Sequence, residues 1–197
     1  MQSDDGEYVQ LIEPLRSTER SELKKISGAE RGTIVHFVLQ MIDPKKINGT
    51  QDVRALVEKL RNEKILNEAQ ARAVDCEKIA EFFLGEMGKR LKEAERIETE
   101  FGFYTTVTAD EIYKNGMEDT ILLQGIIDCF FVEKDGRVVL LDFKTDYIKD
   151  ANALRKAKEK YSVQIKYYKK ALEEILERPT AEAYLYFFDC GELVAMD

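Results

Sequence analysis

The chain has 197 residues, 44% hydrophobic and 35% charged, enough for one substantial core beneath a heavily solvated surface, and one domain is expected. No apolar run approaches the ~18 residues of a membrane span and no secretory signal precedes the first polar residues, so a cytoplasmic protein with no membrane partner is expected. The formal charge of −8 excludes a strongly basic nucleic-acid binder, but carboxylates that collect cations add negative charge of their own, so the balance implies weak intrinsic affinity for DNA.

Residues 1–26 begin polar and carry Val9, Leu11, Ile12 and Leu15 without a clear period; they read as a lead-in segment to a domain over 27–197. Ser27-Gly28-Ala29-Glu30 fits a capping box. Ile34, Val35, Val38, Leu39 and Ile42 then follow with helical spacing, and Asp43-Pro44 ends the helix. After a polar break through Asn48-Gly49-Thr50, Val53, Leu56, Val57 and Leu60 predict a second helix. A third helical region is predicted over 68–92, with Val74, Ile79, Phe82, Phe83, Met87 and Leu91 as its apolar positions.

The pattern changes near Arg96. Ile97, Phe101, Phe103, Val107, Ile112, Ile121, Leu123, Ile126 and Phe130, with turn residues between them at Lys114-Asn115-Gly116, predict antiparallel strands. Lys134-Asp135-Gly136 is a hairpin signal before an apolar strand over 138–143. Helical periodicity returns over 153–176, with Leu154, Ala157, Tyr161, Ile165, Tyr168, Leu172 and Ile175 on one stripe and Pro179 closing it. A last strand is expected over 183–188, then a turn at Asp189-Cys190-Gly191-Glu192. Helices, a three-strand meander, a helix and a strand make an α/β fold: a mixed central sheet flanked by helices, with a helical N-terminal portion. Cys76, Cys129 and Cys190 are odd in number and far apart, so they match no disulfide, zinc or iron–sulfur pattern and read as buried thiols in a reducing compartment.

Chemistry concentrates in Gln124-Gly125-Ile126-Ile127-Asp128 and Leu140-Leu141-Asp142-Phe143-Lys144-Thr145. Carboxylates are costly beside apolar strand cores unless compensated, and a divalent cation is the usual compensation. Lys144 lies two residues past Asp142 and shares its strand face. Two hard oxygen ligands beside an ammonium suit phosphodiester hydrolysis with Mg²⁺ or Mn²⁺. The plain alternatives are an Asp142–Lys144 structural ion pair and an Asp128 that caps neighbouring backbone at a strand end. His36, the chain's one histidine, is either a satisfied structural residue or an imidazole ligand completing the site. Gln164 and Tyr168 share a helix face, either holding phosphates or water near the cluster, or as a solvated amide and a core ring. Lys156, Lys158, Lys160, Lys166, Lys169 and Lys170 are by default a solvated face, with contact to a phosphate backbone as the functional reading.

Gly32-x-x-x-His36, Gly125-Ile126-Ile127-Asp128, Asp142-Phe143-Lys144-Thr145 and Gln164-x-x-x-Tyr168, in this order, resemble the RecB-type nuclease family of the PD-(D/E)XK superfamily over about residues 29–188. More finely, residues 30–40, 124–131 and 142–147 look like the C-terminal nuclease domain of the AddA family of helicase–nuclease proteins. The resemblance implies a restriction-endonuclease-like fold, with His36, Asp128 and Asp142 as metal ligands helped by the Phe143 carbonyl. It further implies Lys144 as catalytic lysine, Gln164 and Tyr168 as accessory active-site residues, and Glu100 as a match to a family acidic position. The implied function is Mg²⁺-dependent cutting of a DNA strand during double-strand-break processing for recombinational repair, with Mn²⁺ as a substitute. The strand would be single-stranded DNA fed from a helicase, and the partner a protein of the AddB type. Nothing matches Gly-x-x-x-x-Gly-Lys-Ser/Thr, so the chain is expected to be an excised nuclease domain without its motor. The four clustered cysteines of iron–sulfur relatives are missing, so no cluster is expected. A non-catalytic DNA-binding or assembly module, and a free-standing RecB-like exonuclease, are the alternatives.

Overall fold

A computed structural model describes residues 26–114 and 118–197. The lead-in 1–25, with Val9, Leu11, Ile12 and Leu15, and the Asn115-Gly116 part of the expected turn lie outside the described residues.

Helix α1 (Gly28–Met41) starts where expected. Ser27 Oγ accepts the Glu30 N–H at 3.2 Å, and Asp43 caps a short 3₁₀ turn at Pro44–Lys46 that turns the chain. Helix α2 (Thr50–Asn62) follows, with Asp52 reaching back to the backbone N–H groups of Asn48 and Gly49. The region expected as one helix over 68–92 is three: α3 (Glu68–Ala73), α4 (Cys76–Leu84) and α5 (Glu86–Glu93). Two local signals break it. Asp75 accepts the Lys78 N–H and so starts a new helix, while the extended Gly85 ends α4 and opens α5.

The sheet has the order β1-β2-β3-β4-β5: β1 (Arg96–Thr108), β2 (Thr120–Val132), β3 (Val138–Lys144), β4 (Thr180–Phe187) and β5 (Glu192–Met196). Only the β3–β4 pair is parallel, joined by the long helix between them; the other neighbours are antiparallel. The mixed sheet expected from the sequence is thus present, with two differences, at helix α6 and strand β5. Residues 109–113, which include Ile112, form a short helix α6 (Ala109–Tyr113), because Thr108 and Glu111 close a capping box. The β2–β3 hairpin turns where Lys134-Asp135-Gly136 placed it, at Gly136, whose φ of 86° suits a residue without a Cβ. Strand β5 was not expected; Gly191, at φ 71°, reverses the chain so that five residues pair with β4.

Helix α7 (Ala151–Leu176) runs from the Asp150 cap, and its stripe meets the core through Ala157, Ile165, Tyr168, Ala171 and Leu172. Ile175, expected on that stripe, is exposed, because the core-facing side of the last turn is taken by Leu172 and Leu176 instead. Of the thiols, only Cys129 is buried; Cys76 is half-buried and Cys190 lies exposed in the turn before β5, so the expectation of three buried thiols fails at the surface turn.

Alternation along the strands separates two cores. Cys129, Phe131, Val139, Leu141, Phe143 and Tyr186 face α1, α2, α4 and α5, while Phe130, Val132, Val138, Leu140, Leu185 and Phe187 face α7. Strand β3 is therefore covered on both sides, as its unbroken apolar run requires. Phe82 of α4 joins the helical layer to the strand ends, with its ring centroid 5.2 Å from Phe143 and 4.6 Å from Tyr186. Arg90 of α5 clamps the same layer from the other end, donating to Glu133 at 2.9 Å and to both oxygens of Glu182 at 2.8 and 3.0 Å. Replacing Phe82 with Ala is expected to cost about 3–5 kcal/mol of stability, read as a lower urea midpoint with unchanged slope. A loss below about 1 kcal/mol would show that this aromatic joint does not hold the helices to the sheet.

Candidate active site

The candidate residues gather where β2 leaves β3. The two strands pair from Val132↔Val138 to Cys129↔Leu141 and then diverge. The next inward amide on β3, the Phe143 N–H, donates instead to Asp128 Oδ2 at 2.7 Å. Asp128 thus caps neighbouring backbone, as its plain reading held, but it does so from inside β2, which continues with β1 after parting from β3. It was expected at a strand end because it closes the apolar stretch from Ile121 to Ile127.

The other oxygen, Asp128 Oδ1, lies 3.2 Å from His36 Nδ1. Helix α1 brings the imidazole there by close approach. A Cβ on Gly32, one turn before His36, would stand 2.9 Å from Thr145 Oγ1 and force that side chain to shift, so the glycine lets the helix lie close to the segment after β3.

Glu100 completes this group. His36, Glu100 and Asp128 each offer a ligand atom within 4.8 Å of the others. On β1, Thr99 pairs with Cys129 and Phe101 with Ile127, and Glu100 between them holds a left-handed φ of 50°. A non-glycine residue there costs about 1–2 kcal/mol. The strain goes with a change of face: Ile97 packs in the helical core, yet Phe101 and Phe103, at the same parity, pack against the α7 side. The sequence shows an acidic residue at 100 but no sign of this backbone twist, and so ranks it below the aspartates.

Asp142 stands next to this trio rather than within it. Its carboxylate is 1% exposed and forms an ion pair with Lys144 Nζ, so the plain pairing is present. Phe143 contributes its amide to Asp128 and its ring to the helical core. Lys144 Nζ also donates to Gln164 Oε1 at 3.0 Å, and Gln164 Nε2 donates to the Tyr168 hydroxyl at 2.9 Å. Gln164 is half-buried and spends both ends of its amide, so it is not the solvated residue of the plain reading. Tyr168 is core by its ring, edge-on to Phe103 at 5.5 Å, and part of the site by its hydroxyl. Gly125 makes the space, since a Cβ there would fall 2.8 Å from the Phe103 ring. Half of the six α7 lysines are engaged locally: Lys160 pairs with Asp146, Lys170 with Glu111, and Lys166 lies over Tyr167.

Charge is crowded in this gap. Burial raises the Asp142 carboxyl well above the usual carboxylate range, the Asp128 charge adds to the rise, and Lys144 opposes it. Burial and Asp128 likewise raise the Glu100 carboxyl. Burial works against a proton on His36, but the hydrogen bond to Asp128 and the charges of Asp128, Asp142 and Glu100 together outweigh it and raise its pKa. Glu100 and Asp142, each pressed by the Asp128 charge beside one imidazole, make with Asp128 a donor set of oxygens and one nitrogen that suits a hard divalent cation.

Comparison with known proteins agrees with this geometry. The model of the PD-(D/E)XK nuclease superfamily matches residues 8–195. An ATP-dependent helicase/nuclease of the AddA type from Bacillus cytotoxicus is 39% identical over 210 aligned positions, covering 100% of this chain and 17% of its own length. The protein of the same name from Clostridium botulinum (strain Kyoto / Type A2) is 36% identical over 181 positions, covering 89% of this chain and 14% of its own. The chain therefore spans about a sixth of the length of these relatives. From the motif order, the mixed sheet with its split between β2 and β3, and the match over nearly all its residues, the chain belongs to the PD-(D/E)XK nuclease superfamily.

Proposed function

We propose that this nuclease domain hydrolyses phosphodiester bonds of a single DNA strand with a divalent cation, Mg²⁺ by preference and Mn²⁺ as a substitute. The observation that carries the reading is the convergence of His36, Glu100 and Asp128 within 4.8 Å, beside a buried Asp142–Lys144 pair. His36, Asp128, Asp142 and Glu100, with the Phe143 carbonyl, are the proposed holders of the cation. Glu100 is the addition to the set expected from sequence. Bound there, a cation supplies Lewis-acid polarisation of the phosphate and a more acidic water.

The remaining roles belong to the chain itself. The Phe143 N–H holds the Asp128 carboxylate in one orientation, so its second oxygen stays directed at His36. Lys144 presents an ammonium at the mouth of the gap, where it orients the attacking water or meets charge growing on the phosphate oxygens. Gln164 accepts from that ammonium and is itself held by Tyr168, which transmits the rigidity of α7 to Lys144. Burial of Asp142 and Tyr168 keeps bulk water from screening these charges.

The relatives' names combine a helicase with a nuclease. By that analogy the strand arrives from a helicase motor during double-strand-break processing in the cytoplasm, in a complex with a partner of the AddB type. The domain is read as 27–197, following a lead-in of 1–26. Among the described residues, no helix is long and apolar enough to cross a membrane.

Release of oligonucleotides from single-stranded DNA under Mg²⁺ tests the chemistry. Asp142→Ala and Lys144→Ala are expected to lower the rate by at least about 100-fold; parental rates in both would reject it. Calorimetric titration with Mn²⁺ separates a nuclease from a non-catalytic module of the same fold. Asp128→Ala is expected to weaken binding at least about tenfold, whereas a chain that takes up no Mn²⁺ supports the module. Glu100→Gly should separate two effects. The left-handed backbone relaxes, so the thermal midpoint holds or rises, while Mn²⁺ affinity falls. Unchanged affinity in that variant would remove Glu100 from the set.

A further inference from the structure

We infer that Tyr161, which none of the four motifs contains, is the positioning residue that holds the Lys144 ammonium in its working place. The inference rests on the nuclease reading above. Lys144 Nζ lies 4.1 Å from the centroid of the Tyr161 ring, within range of a cation–π contact. An ammonium on a four-carbon stem has many rotamers, so a defined position needs several contacts at once. Lys144 has three: the Asp142 carboxylate, the Gln164 carbonyl oxygen and this ring.

The three contacts differ in what they do when the site is used. Asp142 is among the proposed holders of the cation, so its carboxylate serves two partners. Gln164 provides a single hydrogen bond. The ring face attracts positive charge without accepting a proton and without competing for a metal ion. Tyr161 thus keeps the ammonium localised whatever Asp142 is doing.

The ring is itself pinned. Its hydroxyl lies 3.0 and 2.8 Å from the two oxygens of Asp146, two residues past Lys144, and accepts from Lys160 Nζ at 2.8 Å. Lys160 also reaches Asp146 at 3.2 Å and stands 4.4 Å from the ring centroid. The contacts form a closed circuit: Lys144 sits on Tyr161, Tyr161 bonds Asp146, and Asp146 follows Lys144 on the same segment. The end of β3 therefore fixes the aromatic wall that in turn fixes its own lysine. Tyr161 is also one turn before Gln164 and two turns before Tyr168, so one face of α7 carries all three groups.

The test uses the 197-residue chain and two readouts. With lysine labelled at the ε carbon, the Lys144 methylene, assigned by its loss in Lys144→Ala, should appear upfield through the ring current in the metal-free protein. Tyr161→Leu should return it to the ordinary lysine position, and Tyr161→Phe should keep it upfield. In cleavage of single-stranded DNA under Mg²⁺, Tyr161→Leu should lower kcat by about tenfold with KM unchanged, Tyr161→Phe should restore most of the rate, and Asp146→Asn should fall between. Circular dichroism melting checks that each variant folds; if Leu does not, Phe and Asp146→Asn still decide. A Lys144 signal that is not upfield in the parent, or a Tyr161→Leu variant with parental kcat, overturns the inference. Should Lys144→Ala cut as fast as the parent, the nuclease assignment falls instead, and the spectrum still reports the contact.

Discussion

At the point where β2 parts from β3, the Phe143 N–H loses its strand partner, and the Asp128 carboxylate takes it up at 2.7 Å. A buried amide left unpaired costs about 1–3 kcal/mol, so this bond stabilises the split that makes room for a site. It also uses one carboxylate oxygen and turns the other towards His36. Geometry at the centre thus follows from a backbone requirement. Whatever holds β2 against β1 and β3 against β4 also sets the distance between Asp128 and Asp142.

The layers on either side supply the rest. On one face the helices from α1 to α5 bring His36 in close, through the contact that Gly32 permits with Thr145. On the other, α7 presents Gln164 and Tyr168 as a rigid pair. Glu100 enters through a strained turn of backbone in β1, and burial and repulsion raise its carboxyl as they do that of Asp142. Strain and crowded like charge each lower stability, and both occur at the same few residues. That coincidence is what sets the gap apart from the packed cores on either side of it.

Much of this could be read in the sequence, for definite reasons. β3 was legible because both its faces are buried and its apolar run is unbroken, and α1, α2 and α7 because their stripes keep one period with capping residues at the ends. The aspartates and Lys144 stood out because charge in such a run is costly. Four things stayed hidden, among them the backbone at Glu100 rather than the residue itself. The break of one predicted helix at Asp75 and Gly85 lies within an apolar pattern that does not lose phase. β5 is short and depends on the Gly191 reversal. Glu100 owes its place to a φ of 50°, and no residue type announces that in a glutamate. Tyr161 looked like one more core position, since a stripe shows which way a ring points but not what rests on it.

β3 lies between two separate cores, and the groups around its end come from positions 36, 100, 128, 142 and 164. Neither core can form from one half of the chain. The helical one needs Ile34 as well as Phe188, and the other needs Phe103 as well as Met196. A polypeptide clipped between helices α1 to α5 and the sheet therefore loses the helical core, and with it the scaffold that brings His36 to the other charges. For a domain of the PD-(D/E)XK nuclease superfamily, topology alone thus ties the assembly of these charges to the complete fold.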